Sequence, residues 1–416
     1  MKTKLAVIFV LTIILAVGCS SKKGPKLDGH WRAAWESSGG EIPADMYIKT
    51  TENGEIMAEV HNDTEIVKFD RVLKTKNHIN FYIDRYECVI SADLSEDGMS
   101  MTGEWSKQSG TPNQMPFSAI KDDIERFPFE KYNPEPNEAL LKDISGVWKV
   151  RFEGDKYDSM GLFLQERDRV TGTIRAIDGD FRFLEGIYRN GLLFLSSFNG
   201  TWVFIFRAEM DEQGLMKGYW ARGPKPAVNW TATKEEPDYP DTWELTKLSN
   251  DNGVLSFSYP AADDSEQVIS SFDQRFKGKP FLAAFYLSGC PNCHDSAEIL
   301  SQLSKEFKGR DFEMVFIFYE LTDKIERIKA RVKLFLEDHD LPYLGLYSLA
   351  MSKKEIVKEI PDFKNFYAWP TVVFYNSEGK VAAIHTGVDG PATGEYQQKL
   401  IDQYRTKIEE LLSPTE

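Results

Sequence analysis

Hydrophobic and polar residues alternate in short segments between Leu27 and Lys234, and no long stretch of this region shows helical periodicity. Successive side chains of a strand point to opposite faces, so the alternation predicts β-strands with two unlike faces. Short connections favour antiparallel meanders, and closing such a sheet into a small barrel removes its edges. For the second part of the region we predict eight strands, at residues 148–152, 161–165, 170–175, 181–188, 192–198, 201–209, 215–220 and 228–233.

Short motifs of the first part of this region return in the second part at nearly constant spacing. Gly-His-Trp at 29–31 returns as Gly-Val-Trp at 146–148, Gly-Glu-Trp at 103–105 as Gly-Tyr-Trp at 218–220, and Ser-Ala-Ile-Lys at 118–121 as Thr-Ala-Thr-Lys at 231–234. The offsets lie between 113 and 117 residues. We infer a tandem duplication, with β-rich modules at residues 28–122 and 145–234 and a linker at 123–144. Aromatic residues are expected to fill each barrel, and a bound small ligand is the alternative.

A different pattern follows the second linker, residues 235–253. An unbroken apolar run at 280–287 is typical of a strand buried on both faces, and apolar residues then recur at helical spacing. The further predicted elements are strands at 312–319, 343–347, 370–375 and 380–385, and helices at 323–337, 351–359 and 394–412. We expect the charged segment 324–333 to be a solvent-facing helix surface. Residues 254–413 are therefore predicted to form an α/β domain.

Two cysteines, Cys290 and Cys293, lie where the first buried strand of this domain turns into a helix. Two intervening residues in the first helical turn bring the sulfur atoms close enough to form and break a disulfide. A cysteine at a helix N-terminus meets unpaired backbone N–H groups and the helix dipole, which favour its thiolate. The spacing predicts Cys290 as a nucleophile and Cys293, one turn further in, as the resolving thiol.

The Cys-Pro-Asn-Cys motif, the segment Trp369-Pro370-Thr371 and the glycine-containing segment 380–394 together resemble the thioredoxin fold. Residues 250–413 are similar to the extracytoplasmic, membrane-tethered TlpA/ResA-like (redoxin) family of thiol-disulfide oxidoreductases. The resemblance implies a cis-proline at Pro370, with Trp369 and Thr371 beside it in substrate binding. It implies protein thiols and disulfides as substrates, an electron donor in the membrane, and no cofactor beyond the redox-active disulfide Cys290–Cys293.

The chain departs from this family at Gly289, where a tryptophan usually precedes the first cysteine. Two other interpretations of the cysteines stay open. With His294 the motif also matches the C-x-x-C-H sequence of c-type haem attachment, and thiolates with His385 would suit Cu(I). Cys88 lies alone in a predicted strand, where a cysteine is usually a small buried hydrophobe.

The N-terminus carries an export pattern. Two lysines precede an apolar run that ends in Ala16-Val17-Gly18-Cys19, so residues 1–18 are predicted to be a signal peptide. The end of the run resembles a bacterial lipobox, which implies lipidation of Cys19 and a tether at residues 19–27. We therefore expect a protein of the bacterial cell envelope, lipid-anchored to a membrane and facing the periplasm or the exterior. The formal net charge of −15 repels phosphate backbones and disfavours nucleic acid as a partner.

These patterns together predict a multidomain protein, in which two tandem all-β, small antiparallel barrel-like modules precede an α/β thioredoxin-like domain. The predicted function is that of a lipid-anchored thiol-disulfide oxidoreductase. The alternative is a non-catalytic surface lipoprotein that binds a ligand or a metal, with the thioredoxin-like domain as scaffold or copper carrier.

Overall fold

The computed structural model describes residues 26–107, 113–122, 124–128, 131, 142–263 and 265–413. Two nine-stranded antiparallel sheets form the first part of this structure, and an α/β domain with a five-stranded sheet forms the rest. The predicted fold class, two barrel-like modules followed by a thioredoxin-like domain, is confirmed. The predicted signal peptide and Cys19 lie outside the described residues.

The first module is a barrel with a seam. Its strands are β1 (Gly29–Ser37), β2 (Gly40–Thr50), β3 (Ile56–Asn62), β4 (Glu65–Lys68), β5 (Arg71–Lys74), β6 (His78–Ile83), β7 (Cys88–Leu94), β8 (Ser100–Lys107) and β9 (Asn113–Ile120). They pair in the order β4-β3-β2-β1-β9-β8-β7-β6-β5, so the seam lies between β4 and β5. Trp31, Trp35 and Trp105 are fully buried inside.

The second module is a closed barrel, because β12 pairs with both β11 and β14. Its strands are β10 (Gly146–Phe152), β11 (Ser159–Glu166), β12 (Arg169–Ala176), β13 (Gly179–Asp180), β14 (Leu184–Arg189), β15 (Leu192–Phe198), β16 (Val203–Met210), β17 (Met216–Arg222) and β18 (Val228–Thr233). Thr201 and Trp202, predicted to lie in a strand, belong instead to the turn before β16. This turn reaches the dithiol site described below.

The hydrophobic core of the first module includes side chains of the second module, which also has a core of its own; the repeat alone does not predict this shared packing. Phe198, at the end of β15, stacks on Trp35 of the first module with a ring-centroid distance of 5.0 Å and lies 6.1 Å from Phe69 near the seam. Asn62 donates a hydrogen bond to the Phe198 carbonyl and accepts one from its N–H, at 2.8 and 3.2 Å. The second module thus supplies apolar side chains to the interior of the first.

The C-terminal domain surrounds a mixed sheet of order β24-β23-β22-β26-β27. Its elements are β19 (Lys247–Leu248), β20 (Ser258–Pro260), β21 (Val268–Ser270), β22 (Phe281–Tyr286), α1 (Pro291–Glu306), β23 (Glu313–Tyr319), α2 (Ile325–Asp338), β24 (Leu344–Ser348), α3 (Lys353–Glu359), β25 (Phe363–Asn365), β26 (Thr371–Tyr375), β27 (Val381–Thr386) and α4 (Glu395–Leu412). Strands β22, β23 and β24 are parallel, and β26 and β27 run antiparallel to their neighbours. Apolar cores cover both faces of the sheet, which explains why β22 is apolar throughout.

The expectation of a solvent-facing charged surface on α2 is wrong in part. Arg331 is only 8% exposed, and both Arg327 and Arg331 form ion pairs with Glu87 of the first module. Cations on a helix surface are solvated only where no other part of the chain brings carboxylates to them. Among the described residues, no helix combines the length and the apolar character needed to cross a membrane.

Candidate active site

The dithiol lies at the junction of β22 and α1. Cys290 is the N-cap residue of α1, with extended backbone angles, and its carbonyl accepts hydrogen bonds from the N–H groups of Cys293 and His294. Cys290 is half-buried, Cys293 is fully buried, and both are free thiols. The helix start therefore buries Cys293 more deeply than Cys290.

The two thiols have opposite electrostatic preferences. A hydrogen bond from the Cys293 thiol is the main cause that lowers the pKa of Cys290; burial opposes it, while the backbone N–H groups of Cys293 and Asn292 assist it. Burial raises the pKa of Cys293 well above the ordinary value for a thiol. The negative charge of the reduced pair is thus favoured on Cys290, the less buried of the two cysteines.

The segment before β26 provides the predicted cis-proline loop. The peptide bond between Trp369 and Pro370 is cis. Trp369 is half-buried and packs on Phe366, with a ring-centroid distance of 5.6 Å. Thr371 is fully buried, and its hydroxyl donates to the Ala368 carbonyl at 2.7 Å. Substrate binding by these three predicted residues stays a prediction.

The histidines named in the two rival interpretations have other partners. The ring nitrogens of His294 are 2.7 Å from His339 Nε2 and 2.8 Å from the Ser288 carbonyl oxygen. Those of His385 are 2.9 Å from both the Thr242 and the Tyr404 hydroxyl oxygens. With both nitrogens hydrogen-bonded, neither ring offers a free ligand atom to haem iron or copper in this arrangement.

The turn between β12 and β13 of the second module packs directly on the dithiol motif. A Cβ atom on Gly179 would lie 1.8 Å from Asn292 Nδ2, and one on Gly387 would lie 2.9 Å from the Ile177 carbonyl oxygen. Arg175 forms a two-contact ion pair with Asp389. The second module is therefore fixed against both α1 and the segment that follows β27, and neither contact is visible in a local motif.

A buried ionic cluster joins all three parts of the chain beside this turn. Arg182 of the second module contacts Glu65 of the first module and Asp295 of α1. Asp180 accepts a hydrogen bond from the Gly390 N–H at 2.8 Å. Burial raises the pKa of both Asp180 and Asp295 above the ordinary value for aspartate. Their carboxyl groups thus hold protons more tightly than exposed ones.

A second ionic cluster lies beside Gly289. Arg331 donates to Glu320 at 2.9 Å and to the Ser288 hydroxyl at 2.8 Å, and its Nη1 atom is 2.6 Å from Glu87 Oε2. A Cβ atom on Gly289 would lie 3.2 Å from Arg331 Nη2 and 3.7 Å from Lys107 Nζ. The space that a tryptophan side chain would need is thus occupied by two cations. The departure at Gly289 was the one sequence signal of this cluster.

Comparison with known proteins agrees with this geometry. Residues 249–400 match the Redoxin family model. This part of the chain is a redoxin domain with the thioredoxin-like fold, a fold that points to thiol-disulfide oxidoreductase chemistry. No curated protein matches the chain.

The chain is also similar to solved structures over a little more than a third of its length. A thiol:disulfide interchange protein of the thioredoxin family from Chlorobium tepidum is 18% identical over 39% of this chain and 96% of its own, with a TM-score of 0.29. A secreted Mycobacterium tuberculosis disulfide oxidoreductase homologous to E. coli DsbE is 19% identical over 37% and 96%, with a TM-score of 0.27. A thiol-disulfide oxidoreductase from Bacteroides fragilis is 20% identical over 35% and 96%, with a TM-score of 0.27.

Proposed function

We propose that the protein is an extracytoplasmic thiol-disulfide oxidoreductase that exchanges disulfides with protein substrates through Cys290 and Cys293. The observation that carries this proposal is the asymmetry of the dithiol. Cys290 caps α1, is half-buried and has a lowered pKa, whereas Cys293 is fully buried and has a raised pKa. A nucleophile and a resolving thiol need this division.

In the reductive direction, the Cys290 thiolate attacks one sulfur atom of a substrate disulfide. A bond between Cys290 Sγ and that sulfur forms, the substrate disulfide breaks, and the leaving thiolate takes up a proton. Cys293 then loses its proton and attacks Cys290 Sγ, which forms the Cys290–Cys293 disulfide and releases the second substrate thiol. Two electrons pass from the protein to the substrate, and the reverse sequence oxidises a substrate dithiol.

Single serine variants test this order of events. We expect Cys290→Ser to lose the acceleration of insulin reduction by dithiothreitol over the uncatalysed rate. We expect Cys293→Ser to lose turnover yet accumulate a mixed disulfide with a disulfide-containing peptide, detected by mass spectrometry. Cys88→Ser is the matched control, because burial raises the pKa of Cys88 to about 11 and its side chain lies in the core of the first module. Full reductase activity in the Cys290→Ser variant would refute the proposal.

We further propose that the chain works on the outer side of a membrane, held by a lipid on Cys19. The support is the apolar N-terminal run that ends in Ala16-Val17-Gly18-Cys19. In a bacterial host, labelled palmitate should enter the wild-type protein and not a Cys19→Ala variant. Equal labelling of the two would exclude an anchor at this residue.

A further inference from the structure

Lys107 and Arg222 occupy equivalent positions in the duplicated modules. Each is the last residue of its strand, β8 or β17, and each follows the tryptophan of the Gly-x-Trp motif of that strand by two positions. The two residues are 115 positions apart, the same distance as the two motifs. Both cations lie over the ring of Trp202, with Lys107 Nζ at 4.9 Å and Arg222 Cζ at 4.8 Å from its centroid. The duplicated strands thus end at one aromatic ring.

Lys107 is a buried cation without a carboxylate beside it. It is 7% exposed, its ammonium group donates to the Thr201 hydroxyl at 2.6 Å, and no carboxylate of the described residues forms an ion pair with it. The ammonium group lies 3.7 Å from the point that a Cβ atom on Gly289 would take, next to Cys290 in the chain. Burying an ammonium group costs free energy unless an anion is close.

The anion that could stabilise the ammonium group of Lys107 must come from a nearby side chain. Burial lowers the pKa of Lys107, and the positive charge of Arg331 acts in the same direction, whereas negative charge on Cys88, Cys290 or Glu87 raises it. Because the pKa of Cys88 is raised to about 11, its thiol is uncharged at neutral pH. Glu87 is already paired with Arg327 and Arg331, so the Cys290 thiolate is the unpaired anion that can balance Lys107.

Arg222 faces the same thiol from the second module. Its Nε atom is buried and has no hydrogen-bond partner among the described residues. Burial lowers the pKa of Arg222, and the negative charges of Asp178 and Cys290 oppose that shift. Asp178 in turn raises the pKa of Cys290, so this carboxylate acts against the effect that Arg222 would have on the thiol.

We propose that Lys107 and Arg222 are positioning residues that supply the counter-charge of the Cys290 thiolate, so that the duplicated β modules complete the redox centre. This inference rests on the proposed function of Cys290. The other charged groups around the dithiol are Glu87, Asp178, Glu320 and Arg331. Arg331 is paired with both Glu87 and Glu320, whereas neither Lys107 nor Arg222 forms an ion pair with a carboxylate of the described residues.

Cations beside the Cys290 thiolate change the reduction potential of the dithiol in a predictable direction. The thiolate exists only when the dithiol is reduced, so cations that stabilise it favour the reduced form and raise the reduction potential. Removing them should make the Cys290–Cys293 disulfide harder to reduce and the reduced protein a stronger reductant.

The test measures the thiol itself in the full-length protein. For wild type, Lys107→Met, Arg222→Met and the double variant, we would follow the rate of Cys290 alkylation by iodoacetamide against pH, with the modified cysteine located by mass spectrometry. We expect Lys107→Met to slow alkylation at pH 7 roughly tenfold, as a rise of one pKa unit predicts, and the double variant to slow it further. Equilibration with glutathione should show the disulfide more resistant to reduction.

Two kinds of control separate this effect from general damage. Lys217→Met removes an exposed cation from the same strand as Arg222 and should leave the alkylation profile unchanged, while Lys107→Arg keeps the charge and should retain most of the rate. If Lys107→Met does not fold, the alkylation profiles of Arg222→Met and Lys107→Arg still show whether the cations stabilise the Cys290 thiolate. A folded double variant with the wild-type alkylation profile would overturn the inference. Because alkylation needs no substrate, that result is distinct from a failure of wild type to reduce disulfides.

Discussion

At the scale of single residues, the carboxyl groups of Asp180 and Asp295 meet in the buried ionic cluster near the start of α1. Their Oδ2 atoms would lie 2.7 and 2.9 Å from the same point, a Cβ atom on Gly390. Arg182 is the nearby cation, and it also contacts Glu65. Three carboxyl groups thus share one guanidinium group. Because these carboxyl groups are also buried, one of them keeps its proton at a pH where exposed aspartates are ionised.

This proton gives a pH dependence of known sign. The raised pKa of Asp295 means that, above the ordinary aspartate pKa of about 4, the folded protein holds a proton that the unfolded chain has released. The free energy of unfolding therefore falls as pH rises from about 4 towards the raised pKa. We expect Asp295→Asn to remove part of this slope, so that wild type loses about 2 kcal/mol more than the variant between pH 5 and 8.

Urea unfolding at a series of pH values measures this difference. Asp323→Asn, which changes an exposed aspartate before α2, is the control and should follow the wild-type curve. Parallel curves for wild type and Asp295→Asn would show that the carboxyl group of Asp295 is ionised throughout this range.

Site residues could be predicted from the sequence only where the residues that act together are also close together in the chain. The positions of Cys290 and Cys293 at the start of a helix followed from four consecutive residues and the apolar run before them. Lys107 and Arg222 lie 183 and 68 residues before Cys290 in the chain, and nothing in their own strands marks them as neighbours of a thiol. Lys107 and Arg222 occupy equivalent places in the repeat, and Gly289 replaces the usual tryptophan. These observations predict a charged environment for the thiol only once the fold has brought the three residues together.

At the scale of elements, long periodic segments were predictable and very short ones were not. The predicted strand at 192–198 coincides with β15, and the predicted helix at 394–412 differs from α4 by one residue. Strands β13 and β19 have two residues each, too few to show any alternation. They form because a neighbouring strand or a packed turn holds them, and β13 is the element that packs on Asn292 of the dithiol motif.

The β12–β13 turn yields a prediction at this scale. Gly179 has a φ of +146° and leaves no space for a Cβ atom against Asn292, whereas Gly154 in the same module has a φ of +88° with nothing within 4 Å of the corresponding point. Both alanine variants meet unfavourable backbone angles at a cost of about 1 kcal/mol. Gly179→Ala must also displace Asn292, which adds about 1–3 kcal/mol.

Chemical unfolding of the two variants compares these costs. Hydrogen exchange should show lost protection at residues 175–182 in Gly179→Ala alone, since only this variant loosens the turn from α1. Equal destabilisation of both variants, with the turn still protected, would mean that the Asn292 side chain moves aside freely.

At the scale of the whole molecule, the shared core couples the stability of the two β modules. Their interface resembles the interior of a single domain, because Phe198 is fully buried between Trp35 and Phe69. Polar contacts support it, including a hydrogen bond from the Ser196 hydroxyl to the Pro43 carbonyl at 2.6 Å. The positions of Lys107 and Arg222 relative to Cys290 depend on this coupling, since each comes from a different module.

Replacing Phe198 by alanine tests the coupling. Removing a buried phenylalanine ring costs about 3–5 kcal/mol, and the cavity here would open into the core of the first module although the residue belongs to the second. We expect Phe198→Ala to reduce hydrogen-exchange protection of β1 and β3 as well as β15. Phe206→Ala is the matched control, because Phe206 is equally buried but lies in the second module's own core, so its loss should expose β15 to β17 and spare β1 and β3. If β1 and β3 keep full protection in Phe198→Ala, the modules are independent folding units and the polar contacts between them hold the charges around the dithiol.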